Sequence, residues 1–197
     1  MLELTAIFES WHIGDGNYPP FHKGMAVNLS FQLEPDILLP AETSMEMSFI
    51  HSRFAEFDFC GKILRIYRDS ELAIIDCKGF RFYIEESKLK KFKEGMMIKG
   101  KGTLLLDYYI WVESLSRRKN PPDIFFTLEV TRIRQVKIPE QFIHRFDQGW
   151  SFPTRYKIDD DSDIVELETM EGQKFLTEFY RVDFKELDRK DIPKTFI

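Results

Sequence analysis

Two turns in the middle of the chain, each flanked by β-forming residues, constrain the fold more than any other feature of the sequence. In KILRIYRDSELAIIDCKGFRFYIE, residues 62–85, one run of apolar and aromatic residues ends at RDSE and the next ends at Lys78-Gly79. β-Branched and aromatic residues favour strands, and a two-residue turn containing glycine is typical of a hairpin. The pattern therefore predicts three consecutive antiparallel strands.

Tight turns would also fix the register of these strands. The expected opposing pairs are Leu64 with Ile75, Ile66 with Ala73, Ile75 with Phe82, and Cys77 with Phe80. Because side chains alternate between the two faces of a strand, one face becomes apolar and is predicted to be the core face. Its members are Leu64, Ile66, Ala73, Ile75, Cys77, Phe80, Phe82 and Ile84. The opposite face holds Arg65, Tyr67, Ile74, Asp76, Arg81 and Tyr83.

The elements that follow resemble the order of a small barrel. In EESKLKKFKEG, Leu89 and Phe92 recur at helical spacing and Gly95 provides a stop. Two further strands are expected over Met96–Leu106 and Tyr108–Leu115. Three strands, a short helix and two strands are the element order of an OB-like barrel, here predicted over about residues 59–116.

The rest of the chain adds β elements on both sides of this barrel. We expect a mostly β protein with an N-terminal β segment (1–58), the barrel (59–119) and a C-terminal region of β hairpins with a tail (120–197), together in one globule. In IFFTLEVTRIRQVKIP the alternation of apolar residues changes phase after Val130, which predicts a long strand with a bulge. Two C-terminal hairpins are expected to turn near residues 160–163 and at Glu171-Gly172.

A short match also predicts a partial internal repeat of the barrel plan. FHKGMAVNLSFQL, starting at Phe21, aligns without gaps on FKEGMMIKGKGTL, starting at Phe92. In both segments a Gly-Met pair follows three residues after the phenylalanine. The glycine is expected to adopt a positive φ just before a strand.

Composition and charge narrow the class of protein. The longest apolar runs are too short to span a bilayer and no signal-like N-terminus is seen, so a soluble, cytoplasmic protein without membrane contact is expected. Two cysteines, Cys60 and Cys77, are too few for a disulfide framework or a cysteine zinc site, and both are predicted on the core face. Residues 1–59 carry a net charge of −7, residues 60–119 of +6 and residues 120–197 of −4. Neutralisation between these segments is the favoured interpretation; an anionic partner for the basic segment is the alternative.

The leading candidate site is the loop within WHIGDGNYPPFHKGM. Its glycines and paired prolines predict a rigid connection, and loops often carry binding residues. The expected function is non-catalytic binding of a protein or a small polar ligand. The expected contact residues are Trp11, His12, Asp15, Tyr18 and His22.

Two other functions remain as alternatives. A metal-assisted hydrolase would use His12, Asp15 and His22 as ligands, but this spacing matches no recurrent zinc pattern, no catalytic motif is present, and neither a metal nor another cofactor is predicted. A single-stranded nucleic acid could instead bind the basic barrel face, with its bases on the tyrosines and its phosphates on the lysines. The residues proposed for that face are Arg65, Tyr67, Arg81, Tyr83, Lys88, Lys90, Lys91 and Lys93. We expect the acidic N-terminal segment to cover this face instead.

Overall fold

Eleven strands join into one continuous sheet in the part of the chain that the computed structural model describes, residues 2–107, 110–136, 164–171 and 179–187. The strands are β1 (Glu3–Glu9), β2 (Ala26–Leu29), β3 (Phe31–Pro40), β4 (Ser48–Arg53), β5 (Glu56–Tyr67), β6 (Leu72–Cys77), β7 (Phe80–Glu85), β8 (Met97–Leu106), β9 (Phe126–Val136), β10 (Ile164–Leu167) and β11 (Phe179–Glu186). The helical elements are short: α1 (Trp11–Gly14), a 3₁₀ helix (Ser87–Lys91) and a π-helical turn (Trp111–Leu115). The mostly β fold class predicted from the sequence is confirmed.

Strands β5, β6 and β7 form the predicted antiparallel meander. The pairs Ile66 with Ala73, Ile75 with Phe82, and Cys77 with Phe80 occur as expected. The pairing of Leu64 with Ile75 is wrong, because a bulge between Ile63 and Arg65 brings Ile63 opposite Ile75. Leu64 is 42% exposed, whereas Ile63 is buried in the core. Before the bulge the odd-numbered residues of β5 face the core. The extra residue reverses this alternation, so that the even-numbered Ile66 faces the core after the bulge.

The barrel is closed by a strand from the segment 1–58, which the sequence analysis assigned to a region outside the barrel. Strand β8 pairs with β5 as the fourth strand, close to its predicted bounds. The fifth strand predicted at Tyr108–Leu115 is wrong, because the described part from Ile110 is helical. Strand β3 takes that place, running antiparallel to β8 and meeting β7 in parallel at Gln32 and Tyr83. With β5 and β3 on its two edges, β8 leaves no edge for a strand at 108–115.

The internal repeat is visible in the hydrogen bonding of the two matched segments. Gly24 and Gly95 both have the expected positive φ, at +81° and +85° respectively. The Gly24 amide donates to the Val130 carbonyl at 2.8 Å, and the Gly95 amide donates to the Ile63 carbonyl at 2.8 Å. The amide of each of these strand residues donates back to the methionine that follows the glycine, at 2.9 Å in both copies. The two segments therefore dock on β9 and β5 in the same way.

The two repeats meet at the β3 and β8 pair. The gapless alignment places Leu33 on Leu104, and these two residues pair directly. Likewise, the pair Gln32 with Leu105 maps onto the pair Glu34 with Thr103. A local twofold relation therefore passes between the two leucines, and each matched strand runs from one half of the molecule into the other.

The strands outside the closed barrel follow a matching order of pairings. Strand β2 pairs with β9, β9 with β11, β11 with β1, and β1 meets β8 in parallel at Ile7 and Leu105. The closed barrel shows the corresponding order β8, β5, β6, β7 and β3. We call β9, β11 and β1 the terminal sheet. By this correspondence its three strands occupy the positions that β5, β6 and β7 occupy in the closed barrel.

The C-terminal strands differ from the predicted hairpins. Strands β10 and β11 both pair with β9 and not with each other. Strand β9 is long, and over Ile133–Val136 it pairs with β10 on one edge and with β11 on the other. The predicted bulge in β9 is confirmed by the register shift opposite Asp183 and Phe184. The turn expected near residues 160–163 lies outside the described residues, and so does Gly172 of the turn expected at Glu171-Gly172.

Both cysteines are buried free thiols, but only Cys77 lies on the core face, so the prediction that Cys60 shares this face is wrong. Cys77 belongs to the main core, where burial raises the pKa of its thiol. Cys60 is buried outside the main core cluster, on the side of β5 opposite to Phe59, where it pairs with Ser48 and Lys99.

Candidate ligand cleft

The loop favoured by the sequence is built mainly as an aromatic cluster. The His12 ring is only 2% exposed and stacks on Trp11, with ring centroids 3.8 Å apart, and on Phe8 at 5.7 Å. Tyr18 is also buried and meets Phe8 edge to face at 5.8 Å. Such packing stabilises the junction between α1 and β1. Two of the five predicted contact residues therefore face the protein interior.

Asp15 and His22 lie on the surface and do not join His12. Both are exposed, and the His22 ring contacts the carbonyl of Lys23 through Nδ1 at 3.2 Å. No group of three or more His, Cys, Asp or Glu side chains among the described residues is placed to hold a metal ion. The alternative metal site at His12, Asp15 and His22 is therefore not formed by these described residues.

Because His12 is buried, we expect the stability of the protein to fall in acid. Burial lowers the pKa of His12 to about 4, and a hydrogen bond to the Leu106 main chain opposes this only in part. Because the unfolded ring protonates near pH 6.5, stability should be lost as the pH falls from about 6.5 towards 4. The expected loss from this group at pH 4.5 is about 2–3 kcal/mol. His12→Phe should remove it.

Urea unfolding of wild type and His12→Phe at pH 7 and pH 4.5 measures this effect. Burial raises the pKa of Glu9, Glu34 and Glu85, and these groups act in the opposite sense in both proteins. The informative quantity is therefore the difference between the two proteins at each pH. An equal loss of stability in both would contradict the role assigned to His12.

The basic barrel face is covered by the chain itself. Residues 110–125, which we call the strap, pack over the outer face of β5, β6 and β7. Tyr67 is 9% exposed and Tyr83 is fully buried beneath the strap, so their rings are not available for stacking on bases. The apolar contacts come from Ile74, Ile110, Trp111, Leu115, Ile124 and Phe125. The expected cover by the N-terminal segment is wrong.

Polar contacts hold the strap on the same face. Arg65 donates to the carbonyl of Asn120 at 3.2 Å, and Arg81 donates to the carbonyl and carboxylate of Asp123 at 3.1 and 3.2 Å. Arg118 of the strap pairs with Asp69 at 2.6 Å. The side chains of Lys90, Lys91 and Lys93 are exposed, and that of Lys88 lies outside the described part of the chain. Nucleic-acid binding on this face stays a prediction, and it would require the strap to leave.

The part of the chain that the structure describes covers the corresponding face of the terminal sheet at one end. The turn between β4 and β5 places Phe54 and Ala55 against Ile7, Val136 and Phe179. No other described residue covers the remainder of the face, which forms a cleft of about 490 Å³. Small-molecule sites typically have volumes of about 300–1,000 Å³. The cleft is lined by Glu3, Leu4, Thr5, His51, Thr131, Asp183, Phe184 and Lys185.

Asp183 is the most constrained polar group of the cleft. Its Oδ1 accepts hydrogen bonds from the Thr5 hydroxyl at 2.8 Å and from the Arg134 guanidinium. The Thr131 hydroxyl donates to the Asp183 main-chain carbonyl at 3.1 Å. Asp183 Oδ2 accepts no hydrogen bond from any residue that the structure describes. A carboxylate held on one oxygen offers the other to a ligand donor.

Arg134, a buried residue on the same face of the terminal sheet, holds this carboxylate in place. It is 7% exposed, and burial lowers the pKa of its guanidinium while the charge of Asp183 opposes that shift. An ion pair with one buried member holds its geometry because separating the partners leaves a buried charge uncompensated. The carboxylate orientation is therefore fixed before any ligand arrives.

Sequence reasoning did not find this site. The signal was present in FYRVDFKE, where Arg181, Asp183 and Lys185 alternate with apolar residues and so share one face of a strand. Thr5 and Thr131 come from the other two strands of the terminal sheet, more than 50 residues away along the chain from Asp183 or from each other. Only the pairing of these strands brings the three side chains together.

No family model, curated protein or solved structure matches the chain. Among the described residues, no helix has the length and apolar character needed to cross a membrane.

Proposed function

We propose that this protein binds a small polar ligand, without transforming it, in the cleft on the outer face of the terminal sheet. The observation that carries the proposal is the Asp183 carboxylate, which Thr5 and Arg134 hold on one oxygen while the other oxygen is available at the cleft. A fixed acceptor in a cleft of ligand size is suited to recognition. The ligand is expected to donate a hydrogen bond to this carboxylate.

The position of the cleft supports the same function. OB-folds bind oligonucleotides and oligosaccharides on the face of their second and third strands. In the closed barrel the strap covers that face, whereas no described residue covers the corresponding face of the terminal sheet around Asp183. The similarity is between folds, and the chemistry of the cleft is independent of it.

Asp183→Asn is expected to weaken ligand binding at least tenfold. A hydrogen bond to a charged group contributes about 1.5–3 kcal/mol, and the amide keeps the shape of the side chain while removing its charge. Amide signals in ¹⁵N–¹H spectra can be followed during titration with glucose, urea and ethanolamine, which represent an alcohol, an amide and an amine. At least one compound should shift the signals of Thr5, Thr131 and Asp183, and the shifts should disappear in the variant.

Thr103→Val provides a matched control, because Thr103 lies on β8 outside the cleft. This variant should bind as wild type does. If none of the three compounds perturbs the cleft, or if Asp183→Asn binds them unchanged, the proposed function is wrong.

A further inference from the structure

The outer face of the terminal sheet and its neighbour β10 carries nearly equal numbers of cations and anions among the described residues. Arg134 and Arg181 are paired across β9 and β11, and so are Arg132 and Asp183. Arg132 also bonds Glu166 at 2.7 Å. Among the described residues, the cations of this face are Arg132, Arg134, Arg181 and Lys185, and the anions are Glu3, Glu9, Glu129, Glu166 and Asp183. Four cations against five anions leave an excess of only one negative charge, which provides no strong general attraction for a phosphate group or for a polyamine.

Among the described lining residues of the cleft, His51 is the one exposed aromatic ring that could stack on a nucleobase. The apolar lining residues, Leu4 and Phe184, are both buried and belong to the main core. The His51 ring is held by a hydrogen bond from Nε2 to the carbonyl of Phe54 at 2.9 Å and lies 5.1 Å from Phe57. Base recognition on OB-like surfaces depends strongly on stacking, so a lining with one such ring is poorly suited to nucleotides.

What the cleft does offer is a mixture of donors and acceptors close together. Asp183 and Glu3 accept hydrogen bonds, Lys185 donates, and the hydroxyls of Thr5 and Thr131 can do both. Because Nε2 of His51 donates to Phe54, its Nδ1 is an acceptor in the neutral ring. A ligand hydroxyl is likewise both donor and acceptor and can satisfy such groups in turn.

We infer that the ligand of this cleft is an uncharged, polyhydroxylated molecule of the saccharide or polyol class. The inference rests on the proposed function and adds the chemical class of the ligand. Asp183 binds one hydroxyl through its free oxygen, and the threonines and Lys185 bind its neighbours. Thr5 is a positioning residue, because its hydroxyl fixes the carboxylate that meets the ligand.

Binding of four probes at equal concentration tests the inference. Maltotriose and sorbitol represent the saccharide and polyol sources, and inorganic phosphate and spermidine represent charged ligands. Amide shifts of the cleft residues are followed in the full chain at 20 mM and 200 mM salt. They should appear with maltotriose or sorbitol, and the affinity obtained from them should differ less than twofold between the two salt concentrations. The ratio of the two affinities identifies the source. Asp183→Asn should weaken binding at least tenfold, Thr5→Val about threefold or more, and Thr103→Val should have no effect.

The outcomes separate the inference from the function on which it rests. If phosphate or spermidine binds at Asp183 more tightly than the neutral probes, and salt weakens that binding steeply, the ligand class is wrong and the cleft remains a binding site. If no probe shifts the cleft signals, both the ligand class and the proposed function are overturned. Unfolding curves of Asp183→Asn and Thr5→Val, recorded alongside, confirm that the variants are folded during the titration.

Discussion

Replacing Gly100 by alanine is expected to unfold most of the protein at 37 °C. An added Cβ at this position would lie 2.1 Å from the Ile37 carbonyl oxygen and 2.8 Å from a ring carbon of Phe59. Ordinary contacts between carbon and a carbonyl oxygen are about 3.3 Å or longer, so β3 and β8 would have to separate by about 1 Å. That pair closes the barrel, and a backbone atom cannot move aside as a flexible side chain can.

The expected loss in the free energy of unfolding is more than about 4 kcal/mol, a large part of the roughly 5–15 kcal/mol that a native protein has. Thermal and urea unfolding followed by circular dichroism measure this loss. Lys99→Ala is the matched control, because it changes the preceding, exposed residue of the same strand and should alter stability by about 0.5 kcal/mol or less. A Gly100→Ala protein as stable as this control would show that β3 and β8 do not approach as closely as described.

Local pairings were predictable from the sequence, whereas the closure of the barrel was not. The turns at RDSE and Lys78-Gly79 leave few ways to pair β5, β6 and β7, since hairpin register depends on turn length. The closing strand β3 lies more than 40 residues before β7 along the chain. Nothing in the local pattern of FQLEPDILLP distinguishes a strand that pairs with β8 from one that pairs with a neighbour in sequence.

The segment YYIWVESL was misassigned because its composition favours a strand. Its aromatic and β-branched residues have high β propensity, but tertiary contacts decide the outcome. From Ile110 it packs on Tyr67, Ile74 and Tyr83, and a helical turn brings Leu115 onto that apolar surface. Alternation had assigned those three residues correctly to one face, but it could not show that the face is covered.

The candidate site could not be predicted for a related reason. The loop at Trp11–His22 has the residue types of a binding site, and the same types also build a buried aromatic cluster. Asp183, Thr5 and Thr131, by contrast, sit in three strands whose individual patterns are ordinary for half-exposed sheet residues. Their importance lies in one shared carboxylate and its partners, which exist only after the terminal sheet has assembled.

Leu33→Ala is expected to destabilise both halves of the molecule together. Leu33 is fully buried and pairs with Leu104 at the local twofold relation, where strand β3 passes from the terminal half into the closed barrel. Truncating a buried leucine to alanine costs about 2–5 kcal/mol, through lost transfer energy and the cavity left behind. Because the strand is shared, neither half should retain its stability when this contact is lost.

Fluorescence of variants that keep a single tryptophan can separate the two halves. Trp11 reports on the aromatic cluster beside β1, and Trp111 reports on the strap over the closed barrel. In the presence of Leu33→Ala, both reporters should show one urea transition shifted by the same amount, which is the behaviour of a cooperative unit. Leu39→Ala, on the same strand at a position 48% exposed, should shift neither by more than about 1 kcal/mol. A transition that moves for Trp111 alone would mean that the halves unfold separately and that the exchange of strands does not couple them.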